Sequence, residues 1–206
     1  MRERSNQENF WSGEFGDDYI TRNTLDRIIS SNIAMWADIL CHCSFIPQSA
    51  FEIGCNIGAN LCALRKLSPQ LELSAVEINT QAAEQAIKNT KAMIHNCSIV
   101  DFDHSKEVFD LVFSCGVLIH INPDQLSNVY KKLYLLSNKY ILLSEYYNPI
   151  PISVPYRGYN DKLFKRDFAG EMLDMFSDLR LVAYKFIYHR DPTFPKNDCT
   201  WFLLEK

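Results

Sequence analysis

From Asn23 to Cys43 the apolar side chains Leu25, Ile28, Ile29, Ile33, Trp36, Ala37 and Leu40 recur every three to four residues. That spacing lines one face of an amphipathic helix. The pattern then changes. Short runs rich in β-branched and aromatic residues occur at Ala50–Ile53, Leu71–Ile78, Cys97–Phe102, Phe109–Ser114 and Tyr140–Glu145, and helical stretches at Ala59–Leu67, Thr80–Ile94 and Asp124–Ser137 separate several of them. Alternation of this kind predicts an α/β fold. A mostly parallel sheet has helices on both faces, and a ligand binds beyond the carboxyl ends of its strands.

The last third breaks the rhythm. Asn148 to Pro155 is punctuated by prolines that can continue neither a central strand nor a helix, so it reads as a loop over the site. Lys165–Phe176 follows as a helix, and Leu179–His189 and Cys199–Glu205 are two β-rich runs with no helix between them. Those two should pair antiparallel, giving a seven-stranded sheet with a terminal hairpin. We read the chain as one domain: a lid and helix over 1–43, a core over 44–147, and a loop, helix and hairpin over 148–206.

Composition narrows the classes. With 206 residues, 47% hydrophobic and 22% charged, the chain can bury a self-sufficient core, and 7 glycines and 8 prolines are too few for a disordered or collagen-like chain. A net charge of −4 disfavours a long nucleic-acid footprint, which needs clustered cations, and points to a small-molecule partner. No segment resembles a signal peptide or a membrane span, so a cytoplasmic location without membrane contact is expected. Seven cysteines without a CxxC spacing read as reduced core thiols. Cys41, His42 and Cys43 are adjacent in sequence, so their side chains diverge and no metal site is expected there.

The strongest chemical signal is Phe51-Glu-Ile-Gly-Cys-Asn-Ile-Gly-Ala-Asn60, which ends one strand and opens a helix. Gly54 and Gly58 permit positive φ and close approach of a ligand to the backbone, and the following helix offers unpaired N–H groups. The GxGxxG spacing of dinucleotide-binding dehydrogenases is absent, which disfavours that reading. The segment resembles motif I of class I S-adenosylmethionine-dependent methyltransferases, with a Rossmann-like fold. The resemblance implies that Glu52, Gly54, Cys55, Asn56, Gly58 and Asn60 surround the methionyl part of S-adenosylmethionine. It implies further that Glu77 accepts hydrogen bonds from the ribose hydroxyls beside Ile78, and that Asp101 and Phe102 read the adenine, with Asp103 as a substitute. Ser114, Cys115 and Gly116 would run beneath the cofactor, whose product form is S-adenosylhomocysteine (SAH).

A narrower resemblance lies in Phe10-Trp-Ser-Gly-Glu-Phe-Gly-Asp-Asp-Tyr-Ile-Thr-Arg-Asn23. It is similar to the opening of the pseudaminic acid biosynthesis-associated methylases, bacterial proteins linked to surface-glycan pathways. In that picture Trp11, Phe15 and Tyr19 cap the cofactor and exclude water, and Arg22 pairs with its carboxylate. A packed N-terminal helix is the structural alternative. The implied acceptor is a nucleotide-activated sugar or related flagellar or capsular precursor, with a nucleotide or phosphoramidate precursor as an alternative. Arg157, Lys162, Lys165 and Arg166 could hold its phosphate, or form a solvated face balanced by Asp161 and Asp167.

Methyl transfer from a sulfonium needs no metal, but a hydroxyl acceptor must lose a proton. His120, just beyond the fourth strand, is the first candidate base, and His189 the second. Glu145, Tyr146 and Tyr147, then Tyr156, Arg157 and Tyr159, are candidates for binding or polarising the acceptor. Each of these side chains also suits a structural hydrogen bond, and a non-catalytic cofactor-binding protein would carry the same glycine turn.

Overall fold

The computed structural model describes residues 2–22, 24–103 and 108–206; Asn23, the first residue of the expected helix, lies outside them. Helices α1 (Asn6–Ser12), α2 (Glu14–Ile20) and α3 (Leu25–Leu40) precede the alternating core. The core runs β1 (Ser49–Ile53), α4 (Ala59–Leu67), β2 (Glu72–Val76), α5 (Thr80–Thr90), β3 (Met93–His95), β4 (Phe109–Cys115), α6 (Leu126–Leu136) and β5 (Ser137–Glu145). A two-stranded pair, β6 (Ile152–Ser153) and β7 (Phe164–Lys165), then leads to α7 (Phe168–Met175), β8 (Arg180–Ile187) and β9 (Cys199–Glu205).

The main sheet is seven-stranded in the order β3-β2-β1-β4-β5-β9-β8. Strands β1 to β5 are parallel, and β9 enters antiparallel between β5 and β8. The expected hairpin is therefore present, with its second strand inside. Strand β9 has buried residues on both faces, whereas β8 is largely exposed along its length, so only β9 suits an interior position. Strand order reverses between β1 and β4, and a crevice opens there at the carboxyl ends.

Alternation along each strand divides the core in two. Phe51, Ile53, Val112, Ile141 and Leu143 face α6 and α7, meeting Leu133 and Met172. Ala50, Leu111, Phe113, Tyr140 and Leu142 face the opposite layer, where Trp36, Ile39 and Leu64 of α3 and α4 cover them. The side-chain period of two makes this partition automatic. Each large apolar residue so buried contributes about 1.5–3 kcal/mol.

Three expectations are corrected. Helix α5 stops at Thr90, four residues early, because Lys91 adopts a left-handed φ of 55° and the chain turns to pair Met93 with Ser74. The third strand is consequently 93–95, and 97–102 is a turn in which the N–H groups of Asp101 and Phe102 both donate to the Ser98 carbonyl. Ile99 and Phe102 are buried, so a core-facing turn carries the apolar composition of a strand. In the proline-rich connection, Ile152 pairs with Lys165, which delays the next helix to Phe168.

The N-terminal helices are fastened to this frame. Ser5 and Glu8 form a reciprocal capping box on α1. Glu8 also pairs with Arg2 and accepts from Ser98 Oγ at 2.5 Å, while Arg2 reaches Asp101 at 2.8 Å. Asn79 Nδ2 donates to Asp17 of α2 at 2.7 Å. Gly16 sits so close to α1 that a Cβ there would lie 2.0 Å from the Trp11 carbonyl and 2.8 Å from Asn79 Nδ2. Gly16→Ala is therefore expected to lift α1 and α2 from the sheet. Amide exchange across residues 6–20 should accelerate at least about tenfold while β1, β4 and β5 stay protected; unchanged exchange in 6–20 would show that the contact relaxes locally.

Candidate active site

The crevice encloses about 890 Å³. Its floor is made by the turns that follow β1, β2, β3 and β4, and Trp11, Tyr19 and Arg22 reach it from the N-terminal helices. After β1 the chain takes left-handed φ at Gly54 (63°), Asn56 (48°) and Gly58 (81°) before entering α4. A Cβ on Gly54 would meet Val117 at 2.6 Å, so both the turn and its neighbour require glycine. Gly54, Cys55, Asn56 and Asn60 line the crevice, while Gly58 packs on Thr90 and Ala86 beneath it.

Two buried carboxylates organise the floor. Glu77, at the end of β2 beside Ile78, accepts from the Asn56 N–H at 2.7 Å and the Asn79 N–H at 2.8 Å, stitching the first turn to the second. Burial raises its pKa against those bonds. Glu52 accepts from Asn60 Nδ2 at 2.7 Å, and burial pushes its pKa up to about 8. Gln7 Oε1, Glu52 Oε2, Asn56 Oδ1 and Trp11 Nε1 are buried without a hydrogen-bond partner among the described residues, and all four residues line the crevice. Three oxygens and a donor left over in one cavity suit a polar ligand with both donors and acceptors. The hydroxyls, ammonium and carboxylate of S-adenosylmethionine fit that set.

On the β3 side the expected adenine readers are displaced. Asp101 is half-exposed, paired with Arg2 and outside the crevice; Phe102 is buried against Phe51, ring centroids 5.2 Å apart. Because β3 ends at His95, the crevice wall is Cys97, Ser98 and Ile99 instead.

At the end of β4, Cys115 and Gly116 (φ 70°) line the crevice, but Ser114 turns inward and donates to Glu145 at 2.5 Å. Glu145 also accepts from the N–H groups of Val117 at 3.1 Å, Leu118 at 3.2 Å and Ile119 at 3.4 Å. It is fully buried, with its pKa raised to about 7 by burial. Glu145 thus anchors the short 3-10 turn Leu118–His120 and does not face an acceptor.

That turn presents His120. Its Nδ1 lies 2.5 Å from the Lys162 carbonyl, which can only accept, so the proton sits on Nδ1 and Nε2 keeps its lone pair. Burial lowers the pKa to about 4, leaving the ring neutral at neutral pH. Trp11 at 4.6 Å and Tyr156 at 5.1 Å flank it.

Tyr146, Tyr156, Arg157 and His189 also line the crevice, the last holding Asp198 at 2.8 Å. Tyr147, Tyr159 and Lys162 do not. Tyr147 is exposed against Phe202, Tyr159 packs edge-on to Phe10 at 5.0 Å, and the buried Lys162 ammonium lies 5.2 Å from the Phe10 ring. Phe15 joins this aromatic roof by stacking on Phe10 at 4.0 Å. Lys165 lies over Tyr146 and Arg166 pairs with Glu171 at 2.7 Å. Sequence reasoning missed Arg27, Ser31, Asn32 and Lys196, which line the crevice where α3 meets the β8–β9 tip. Ser31 Oγ donates to the Pro195 carbonyl at 2.9 Å and Lys196 Nζ to Asn32 at 2.5 Å. Each of these contacts spans 164 positions, so local spacing carries no sign of it.

Among the described residues, no group of three or more His, Cys, Asp or Glu is arranged to hold a metal, and no helix is long and apolar enough to cross a membrane. Residues 51–138 match the family described as methyltransferase domain. An uncharacterized protein of Rickettsia prowazekii (strain Madrid E) is 33% identical over 73 residues, covering 32% of this chain and 13% of that protein's length. The plantazolicin methyltransferase BpumL in complex with SAH is similar in structure at 16% identity, with a TM-score of 0.63 over 97% of this chain and 93% of that one. The magnesium protoporphyrin IX methyltransferase of Synechocystis PCC 6803 with bound SAM is similar at 11% identity, with a TM-score of 0.66 over 100% of both chains. The methyltransferase domain of bacterial CtHen1 gives a TM-score of 0.61 at 14% identity over 89% of this chain and 100% of that one. These likenesses extend the class I Rossmann-like fold over both flanks of the matched segment. Residues 51–138 thus form a methyltransferase-domain segment within a Rossmann-like fold shared with these S-adenosylmethionine- and SAH-bound methyltransferases.

Proposed function

We propose that the enzyme transfers a methyl group to an oxygen or nitrogen of a small polar acceptor. The preferred acceptor is a nucleotide-activated sugar or a related precursor of bacterial surface glycans. The motif shared with the pseudaminic acid biosynthesis-associated methylases supports the pathway, and the unpaired polar atoms of the crevice support the chemistry. In this reading 1–43 is lid and helix, 44–147 the cofactor core and 148–206 the acceptor side of one domain.

The observation that carries it is His120, a neutral imidazole with a free Nε2 at the carboxyl end of the sheet, in the crevice that Glu77 and the glycine turn enclose. Bound, the cofactor supplies an electrophilic methyl group. Glu77 binds ribose hydroxyls with the lone pairs left over from its two backbone bonds, and Cys97 to Ile99 form the adenine wall. Arg22 grips the carboxylate. Trp11 and Tyr19 exclude water, and His120 Nε2 takes the proton of a hydroxyl acceptor as Nδ1–H stays on the Lys162 carbonyl. Tyr146 and Tyr156 orient the acceptor, and His189, tied to Asp198 at the rim, assists binding. An amine acceptor that arrives deprotonated would need no base.

Labelled S-adenosylmethionine incubated with the protein and bacterial extract should yield a labelled product whose mass identifies the acceptor; a labelled protein or nucleic acid instead of a small molecule contradicts the proposal. Glu77→Ala should weaken SAH binding by about 1–3 kcal/mol, because hydroxyls lose a charged acceptor and the two turns lose their link. Unchanged titration heat would rule this out. His120→Ala should lower kcat at least about tenfold with little change in SAH affinity. The pH profile follows from the lowered pKa: the base is competent above about 4, so kcat for a hydroxyl acceptor should stay level from pH 5 to 8 and fall as the ring protonates toward 4. A fall already centred near 6.5 would mean that the ring is solvated, or that another histidine acts.

A further inference from the structure

Four permanent cations line the crevice, Arg22, Arg27, Arg157 and Lys196, and none of them takes part in an ion pair among the described residues. Of the carboxylates that share the lining, Glu8 is held by Arg2 and Ser98 and Glu77 by two backbone N–H groups, while Glu52 is bonded to Asn60 through one oxygen and feels the charge of Lys196. Arg22, Arg27 and Arg157 are exposed to solvent, and Lys196 is partly buried. S-adenosylmethionine does not balance these cations, because the cofactor carries a sulfonium and an ammonium against a single carboxylate. If Arg22 takes that carboxylate, Arg27, Arg157 and Lys196 still face a cavity to which the cofactor adds positive charge.

The surplus is localised. Arg27 lies one turn before Ser31 on α3, where positions four apart share a face. Ser31 is bonded to Pro195, and the next residue, Lys196, is bonded to Asn32. Arg27 and Lys196 therefore belong to one seam between α3 and the tip of the β8–β9 hairpin. The Lys196 ammonium donates to the neutral amide of Asn32 and lies near enough to Glu52 to act against the rise of its pKa. Arg157 stands on a tight turn closed by reciprocal backbone bonds between Tyr156 and Tyr159 at 2.8 and 2.9 Å, with φ of 50° at Arg157 and 86° at Gly158. Asn or Gly is the usual choice at the first of those positions. An arginine there is held against its backbone preference, next to the tyrosine that flanks His120.

We propose that the α3–hairpin seam of the crevice is an acceptor subsite for a phosphate-bearing group, gripped by Arg27 and Lys196, with Arg157 a further cation on the wall beside His120. The inference rests on the methyltransferase reading above and deepens it by naming the charge class of the acceptor. Guanidinium forks and an ammonium match the several oxygens of a phosphate or diphosphate.

The test uses the full chain saturated with SAH, titrated calorimetrically at constant ionic strength with inorganic pyrophosphate, uridine diphosphate, glucose 1-phosphate and malonate. Saturable pyrophosphate binding is expected, with Lys196→Met and Arg27→Gln each weakening it at least about tenfold while SAH affinity stays within about twofold. Tighter binding of uridine diphosphate than of glucose 1-phosphate assigns the group to a nucleoside diphosphate, and the reverse order to a phosphomonoester. Absence of saturable pyrophosphate binding to an SAH complex that does form overturns the subsite alone, as does equal binding by wild type and both variants. Malonate binding as tightly as pyrophosphate overturns the phosphate assignment. Failure of SAH itself to bind overturns the cofactor reading and the subsite with it.

Discussion

The Glu77 carboxylate is the constraint on which the floor of the crevice depends. By accepting from Asn56 and Asn79 it ties the glycine turn after β1 to the start of α5 after β2. A buried acid is costly unless its lone pairs are used, so both turns must hold their N–H groups toward one point. The left-handed residues at 54, 56 and 58 follow from that demand. Glu52, on the next strand, is placed differently: it has one protein donor and one unpaired oxygen, and its raised pKa expresses that deficit. One acid holds two turns together, and the other keeps an oxygen unpaired in the crevice.

A second carboxylate does comparable work on the opposite side of the switch point. Glu145 gathers Ser114 and three successive N–H groups, which fixes the short turn bearing His120. The histidine is then locked from its other side by the Lys162 carbonyl. Tautomer and orientation are therefore set by elements from β5 and the β6–β7 connection. A ring confined in this way, between Trp11 and Tyr156, can meet a ligand only through Nε2.

The roof is held by polarity as much as by aromatic packing. Glu8 joins α1 to Ser98, so the helix that carries Trp11 is bonded to the wall of the cavity that Trp11 covers. Asn79 joins α2 to the cap of α5. Lid and wall thus share residues, so lifting α1 or α2 from the crevice breaks these bonds. Of the crevice cations, Arg27 and Lys196 lie at the α3–hairpin seam, whereas Glu77 lies in the floor.

The fold was legible because alternation and helical spacing report burial directly: Ala50–Ile53, Phe109–Ser114, Tyr140–Glu145 and the terminal pair are strands within a residue or two of expectation. The glycine turn and Glu77 were legible too, since positive φ and a strand-end acid leave local marks. Asp101 and Phe102 misled because apolar content cannot distinguish a buried turn from a strand, and Ser114 and Glu145 misled because strand-end polarity does not say which way a side chain turns. Arg27, Asn32 and Lys196 left no mark at all. The sequence by itself determined the sheet, its switch point and the left-handed turn after the first strand, since these follow from short-range periodicity and backbone sterics. Only tertiary structure decided which polar groups are left unpaired, because hydrogen-bond satisfaction and charge balance depend on partners up to 164 residues away.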